Sequence, residues 1–518
     1  MVIKVILLVL FFGTMIGVGL YTRKSATDVN GFVLGGRSVG PWLTAFAYGT
    51  SYFSAVVFVG YAGQFGWKYG VSATWIGIGN AVIGSLLAWV ILGRRTRIMS
   101  KSLHAKTMPD FFGKRFNSTS IRIMASLIAF VFLIPYTASV YNGLSRLFGM
   151  AFNIPYNVCV IVMAVLTGVY VILGGYMATA INDFIQGIIM LIGIVAVIVS
   201  VINGQGGFIE AIKKLSEMES DVPLTLGQKG AFTSFFGPDP LNLLGVVILT
   251  SLGTWGLPQM VHKFYAIKDE KAVRTGTIIS TFFAIVVAGG CYFLGGFGRL
   301  FDSPEIYDAN GKVVFDTIIP QMLSKLPDAL IGIVVVLVLS ASMSTLSSLV
   351  LTSSSTMTLD VLKGNVFKKM SNKQQLVWMR SLIVFFIGIS VVIALNKITF
   401  IAQLMGISWG ALAGAFLAPF LYGLYWKGVT AASVWASFFA GVAITVANLK
   451  LNFANPINAG AIAMIAGLII VPVVSLITKK PDRQKVDEIF SCYDTKVVVS
   501  EKVALVADEK EAAPEQNQ

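Results

Sequence analysis

Residues 338–360 read VLSASMSTLSSLVLTSSSTMTLD, a run apolar enough to cross a bilayer yet crowded with serine and threonine. At helical spacing Ala341, Ser344, Thr345 and Ser348 fall at i, i+3, i+4 and i+7, so they share one face, with Ser347 beside it. Two readings of that stripe stand. Small residues let membrane helices approach closely, and Ser/Thr hydroxyls can bond the carbonyl four residues back. A dehydrated hard cation such as sodium, in turn, wants several oxygen ligands, and hydroxyls supply them without stranding a full charge in hydrocarbon.

The rest of the chain agrees with a membrane setting. Its 518 residues are 56% hydrophobic and only 12% charged, with a mean hydropathy of +0.78, which describes an all-α polytopic membrane protein. The formal net charge of +14 does not imply nucleic acid, because Lys and Arg sit in short clusters between apolar runs, where they set topology. Cys159, Cys291 and Cys492 have no metal-type spacing and imply no disulfide framework. The run 2–21 lacks a small-x-small cleavage site and is followed by Arg23 and Lys24, so it reads as a retained span.

A crossing needs roughly 20 mostly apolar residues, and on that measure there are about thirteen. Their cores are 2–21, 41–66, 71–93, 121–149, 156–173, 179–202, 239–260, 275–297, 328–358, 376–396, 398–421, 430–448 and 456–477. The loop after the third span carries Arg94, Arg95, Arg97, Lys101, Lys106, Lys114 and Arg115 against the single Asp110 and is expected to be cytoplasmic. Alternate loops agree, including one with Lys263, Lys268, Lys271 and Arg274. An odd span count then puts the N-terminus outside and the C-terminus in the cytoplasm. The outer stretches near 203–238 and 299–327 are long enough to hold short helices. Residues 479–518 are polar, contain Pro and lack apolar period, so they are expected to form a disordered cytoplasmic tail.

Two spans carry breaks. The second is interrupted at Gly49-Thr50-Ser51; the seventh packs Thr250, Ser251, Gly253, Thr254, Gly256 and Pro258 into one window, five spans later. Broken membrane helices are tolerated only against protein or a wet cavity, and paired breaks at corresponding places mark an inverted-repeat carrier with a midplane site. Asp183 reads as the one carboxylate inside a span, a functional candidate whose bland counterpart is helix packing with Asn182 and Gln186. His104 and His262 fall in expected cytoplasmic loops without metal or triad spacing and read as surface histidines. No GxGxxG or Walker pattern is present and no enzyme signal stands out, so transport would run on an ion gradient.

Four stretches, FVLGGRSVGP at 32–41, LGGYMATAINDFIQG at 173–187, GLPQMVHKFYAIKDEKAV at 256–273 and SASMSTLSS at 340–348, together resemble the sodium:solute symporters, which include bacterial proline, pantothenate and sialic acid carriers and the animal sodium/glucose carriers. The resemblance implies a LeuT-type fold of two inverted five-helix repeats at 41–238 and 239–425. One extra N-terminal helix and its loop would lie in 1–40 and two extra helices in 426–478. It implies a sodium site made by the carbonyls of Thr50, Phe53 and Ala341 and the hydroxyls of Ser344 and Thr345. A second sodium, where present, would use Asp183, Ser347 and Ser348. Candidate solute contacts are Tyr52, Gln64, Thr254, Trp255 and Gln259. The proline carriers have an aspartate where this chain has Tyr52, and the run Tyr52-Phe53-Ser54-Ala55 looks closer to the pantothenate carriers, so a small carboxylate or amino acid is expected. The implied activity is secondary active sodium symport at the plasma membrane. Its partners would be a small organic solute and membrane lipid, with no nucleic acid and no obligate protein partner. The rival readings are a transporter-like solute sensor, proton coupling, or a sugar-acid cargo.

Overall fold

The computed structural model describes residues 2–152, 154–367, 369–396 and 401–494. Among them the chain is helical throughout, with only isolated bridges and no strand. In chain order the elements that matter are α1 (Val2–Thr22), α2 (Pro41–Tyr52), α3 (Ala62–Tyr69), α4 (Thr119–Phe152), α5 (Tyr156–Gly204), α6 (Pro240–Gly256) and α7 (Pro258–Ala266). They continue with α8 (Glu270–Ala284), α9 (Asp328–Thr356), α10 (Asn372–Leu395), α11 (Ile401–Tyr425), α12 (Ala431–Leu451), α13 (Pro456–Ile477) and α14 (Arg483–Phe490).

Local chemistry sets where these helices start and stop. Proline stands in the first turn of α2, α6, α7 and α13, where its missing N–H costs nothing. Asp239 and Asp269 cap α6 and α8 by accepting from the backbone N–H of Asn242 and Ala272, at 3.2 and 2.7 Å. α2 stops because Phe53 turns extended (φ −91°, ψ 119°), and the chain restarts as a π-helical run, Val56–Tyr61, before which the Ser54 hydroxyl accepts from the Val56 N–H at 3.2 Å. α6 and α7 meet at a 45° bend, where Leu257 is extended and Pro258 opens the next helix. The bend at Leu257 falls inside the expected window, whereas the first break comes at Phe53, just past Gly49-Thr50-Ser51, which stay helical inside α2.

By length and apolar composition ten helices among the described residues can cross a membrane, or up to eleven with the bent α6–α7 pair, against about thirteen expected. The difference lies in two long continuous stretches, 47 residues at Val56–Ser102 and 49 at Tyr156–Gly204. At 1.5 Å per residue each is about 70 Å long, twice a hydrocarbon core of about 30 Å. Inside α5, Gly175 adopts φ 54°, ψ −146°, and a Cβ there would sit 2.8 Å from the Phe32 ring and carbonyl, so glycine alone permits this turn.

α9 and α11 form the centre and are the most enclosed of the spans, whereas α1 is largely exposed at the rim. α9 packs on α5, α4, α2 and α10; α11 packs on α13, α12, α4 and α6. The outward faces carry exposed Val9 and Leu10, Val384 and Phe385, Ile469 and Val473, a girdle that only lipid tolerates. Helix backbones touch where α3 crosses the short helix Gly290–Gly295: a Cβ on Gly66 would lie 1.9 Å from the Gly295 carbonyl oxygen. Gly66→Ala is therefore expected to cost about 1–3 kcal/mol, read as a lower Tm of the purified protein; an unchanged Tm would mean that this crossing can open freely.

Several expectations are corrected. Lys263 and His262 are not on a wet loop: both lie in α7 and are buried, because no turn residue interrupts the chain after Pro258. Asp183 does lie within a span, α5, but two carboxylates elsewhere are as deeply buried: Asp316, in the short helix Phe315–Ser324 and 3.7 Å from Arg146, and Asp360, near the end of a span and accepting from the Thr107 hydroxyl at 2.5 Å. The outer stretches do hold short helices, Phe208–Glu217 and Phe315–Ser324. The expected tail begins with structure: α14 and Ser491–Tyr493 dock through Phe490 on Arg115 and Tyr493 on Arg95, with the guanidinium carbons 4.9 and 4.5 Å from the ring centres. Burial pushes the Arg115 guanidinium down to about 10. It donates to the carbonyls of Gly423 and Trp426 at the end of α11, which complement its charge. The remainder of that expected tail, 495–518, lies outside the described residues.

Candidate functional site

The break after α2 and the hydroxyl stripe of α9 meet in the centre of the molecule. The Ser344 hydroxyl lies 3.0 Å from both the Thr50 and Ala341 carbonyl oxygens. The Thr345 hydroxyl lies 3.3 Å from the carbonyl oxygens of Thr50, Ser51 and Phe53 and 3.1 Å from that of Ala341. All these residues are buried, and the Thr50 hydroxyl is spent on its own helix, donating to Phe46 at 2.8 Å. The five expected atoms are thus brought together, with the Ser51 carbonyl as an unforeseen sixth.

Proton counting makes the cluster unusual. One threonine hydroxyl carries a single hydrogen, yet four carbonyl oxygens crowd Thr345 Oγ1. It satisfies one of them and leaves the others facing an oxygen, an arrangement that a small cation between them would turn from repulsive to attractive. No residue of the cluster is ionisable, so the ion would be held by neutral oxygens, the donor set that suits a hard monovalent cation. Among the described residues no group of His, Cys, Asp and Glu is arranged to hold a multivalent metal.

The expected second set is only partly assembled. Ser347 turns to its own helix, donating to the Ser344 carbonyl at 2.9 Å. Ser348 and Asp183 do converge, but on the ammonium of Lys263, which donates to Ser348 Oγ at 2.9 Å and lies 3.6 Å from Asp183 Oδ2. Ser348 Oγ also shares a hydrogen bond of 2.7 Å with Ser51 Oγ, which ties this pair to the first cluster.

The solute candidates divide. The side chains of Thr254 and Trp255 donate to the carbonyls of Gly84 and Ile83, at 3.1 and 2.9 Å, and Thr254 lines a small cavity together with Tyr52. Gln259 and Gln64 are buried with side-chain amide atoms that find no protein partner, and the Tyr52 ring lies 5.7 Å from that of Trp409. Beyond the expected residues, the Tyr136 ring lies 5.8 Å from Trp409, and Tyr61 has a buried hydroxyl without a protein partner. Aromatic residues in apolar helices give no sequence signal that separates core from pocket.

A family model described as the sodium:solute symporter family matches residues 32–441. The chain belongs to that family. As a member of a family of carriers it is a multi-pass membrane protein and not an enzyme. The osmoregulated proline transporter OpuE of Bacillus subtilis (strain 168) is 29% identical to this symporter-family chain over 495 residues, covering 92% of it and 95% of the relative. The sodium/proline symporter of Staphylococcus aureus (strain JH9) is 30% identical over 505 residues, covering 92% and 93%. A solved structure of a Na+-coupled sialic acid symporter, in a substrate-bound outward-open state, superposes with a TM-score of 0.74 over 93% of this chain and 99% of that one. Identity there is 16%, so the likeness is one of fold. A second, Mhp1 of the nucleobase-cation-symport-1 family, has a TM-score of 0.53 at 13% identity.

Proposed function

We propose that this chain is a sodium-coupled symporter that imports a small organic solute, a carboxylate or amino acid, by alternating access. The observation that carries the proposal is the cluster of neutral oxygens from Thr50, Phe53, Ala341, Ser344 and Thr345, whose acceptors outnumber its hydroxyl protons. Sodium at this point would join the break after α2 to α9. Solute would bind beside it, near Tyr52, Gln64 and Gln259, with Trp409, Tyr136 and Tyr61 as added contacts. Rocking of one helix bundle against the other would then expose both to the inside. Reciprocal coupling of about 1–3 kcal/mol between the two ligands makes each bind better in the presence of the other.

The architecture that goes with this reading has thirteen crossings. Splitting α5 at Gly175 and the Val56–Ser102 stretch at Gly70 (φ 60°), and counting α6–α7 as one broken span, yields that number. The inverted repeats are 41–238 and 239–425, after an extra helix in 1–40 and before two in 426–478, with the N-terminus outside and the C-terminus in the cytoplasm of a plasma membrane. The relatives' names favour proline and the loss of an aspartate at Tyr52 disfavours it, so the cargo is assigned only as proline-like or pantothenate-like.

A thermal-shift screen of the purified protein against small carboxylates and amino acids, in sodium and in choline at equal ionic strength, tests the reading. Sodium alone is expected to raise Tm, and the true cargo to raise it further only in sodium, since a ligand stabilises by RT ln(1 + [L]/Kd). A cargo that stabilises equally in choline refutes sodium coupling.

A further inference from the structure

Buried deepest beside the sodium cluster is an ion pair that coupling by one sodium does not require. Asp183 on α5 and Lys263 on α7 are 0% and 2% exposed, and neither reaches water. The Lys263 ammonium needs three acceptors. It has the Ser348 hydroxyl at 2.9 Å, the Asp183 carboxylate at 3.6 Å and the face of the Tyr176 ring at 5.3 Å. The Asp183 oxygens make no hydrogen bond, so the ammonium is what neutralises them. The neighbouring polar side chains are turned elsewhere: Asn182 donates to the Met15 carbonyl and Gln186 to its sulfur.

A sodium ion in this niche would want the same two groups, a carboxylate oxygen and a hydroxyl. Two unit positive charges cannot share one carboxylate and one hydroxyl in so dry a place, and the tethered one arrives at no cost in bound-ion entropy. The chain of contacts from Lys263 through Ser348 Oγ to Ser51 Oγ (2.7 Å), and from the Ser51 carbonyl to Thr345 Oγ1 (3.3 Å), puts this fixed charge against the wall of the sodium cluster.

We propose that Lys263 is the resident cation of a second ion site: its ammonium stands where another sodium would bind to Asp183 and Ser348, and thereby limits the carrier to one sodium per solute. The inference deepens the sodium-coupling reading but is testable apart from it. Removing the ammonium opens a niche with a carboxylate and a hydroxyl, so the variant gains an ion instead of losing one.

The test is equilibrium binding of radiolabelled sodium to the purified full-length protein. Wild type is expected to bind one equivalent, Lys263→Gln two, and Lys263→Gln with Asp183→Asn one again. Lys263→Gln in a Ser344→Ala, Thr345→Ala background keeps one, held at Asp183. The Tm of Lys263→Gln should also fall in choline and recover in sodium by more than that of wild type, because sodium re-neutralises the buried carboxylate. Two equivalents in wild type, or no gain in Lys263→Gln, would overturn the proposal. Two equivalents in wild type would overturn it without any variant, and Lys263→Met, which keeps the length of the side chain, carries the test of a gained ion if Lys263→Gln does not fold. Should wild type bind none while Lys263→Gln binds one, the role of Lys263 stands and the reading of the first cluster fails.

Discussion

Replacing Ser344 and Thr345 together with alanine is expected to weaken sodium binding by at least about 100-fold. A hydroxyl that contacts a charged group contributes about 1.5–3 kcal/mol, so losing two costs 3 kcal/mol or more, and each 1.4 kcal/mol is tenfold. The change should spare the fold. Both hydroxyls are buried and each replacement leaves a Cβ methyl in a packed wall, while the Ala341 carbonyl stays within α9. Sodium titration of the Tm reads this out: the wild-type curve should shift to higher sodium concentration, with the sodium-free Tm within a few degrees of the parent. Sodium dependence that survives intact would place the coupling ion elsewhere.

Asp183→Asn is the second large effect, and it acts on stability. It leaves the Lys263 ammonium buried without a counter-charge, among neutral groups alone: the Ser348 hydroxyl, the Tyr176 ring face and the new amide. Removing one partner of a buried pair costs about 3–5 kcal/mol, mostly the penalty of the orphaned charge. Lys263→Gln added to Asp183→Asn removes that charge as well and should recover most of the loss. A double-mutant cycle in denaturant or thermal unfolding gives the coupling directly. Additive losses would mean that the two groups do not sense each other, contrary to their 3.6 Å separation.

That the break after α2 and the hydroxyl stripe of α9 meet was legible because two separate signals point to them. A hydroxyl stripe at i, i+3, i+4 and a helix weakened at Gly49-Thr50-Ser51 each point to oxygen donors, and the resemblance to known symporters supplied their partnership. The bend at Leu257 also followed from local residues, Gly256 before it and Pro258 after it, whereas the break at Phe53 falls just past the weakened run. Lys263 was misplaced because a basic residue between two apolar runs is normally counted as a loop charge. The informative feature was the absence of any turn residue after the proline in PQMVHKFYA, with apolar Val261 and Phe264 flanking the His-Lys pair. Span boundaries were blurred by long helices that turn at Gly175 and Gly70 without leaving helical hydrogen bonding for more than a residue or two. Which aromatics face solute and which face core is a matter of tertiary position. Tyr52, Tyr61, Tyr136 and Trp409 look alike in sequence and differ only in what lies beside them.

A high-resolution cryo-EM map of the protein in sodium, paired with one in N-methyl-D-glucamine, tests the central claim most directly. The account predicts a density peak in sodium, lost in the organic cation, that is enclosed by the carbonyl oxygens of Thr50, Phe53 and Ala341 and the hydroxyls of Ser344 and Thr345. A sodium-dependent peak at another place in the molecule, with these five oxygens unchanged between the two maps, would contradict it.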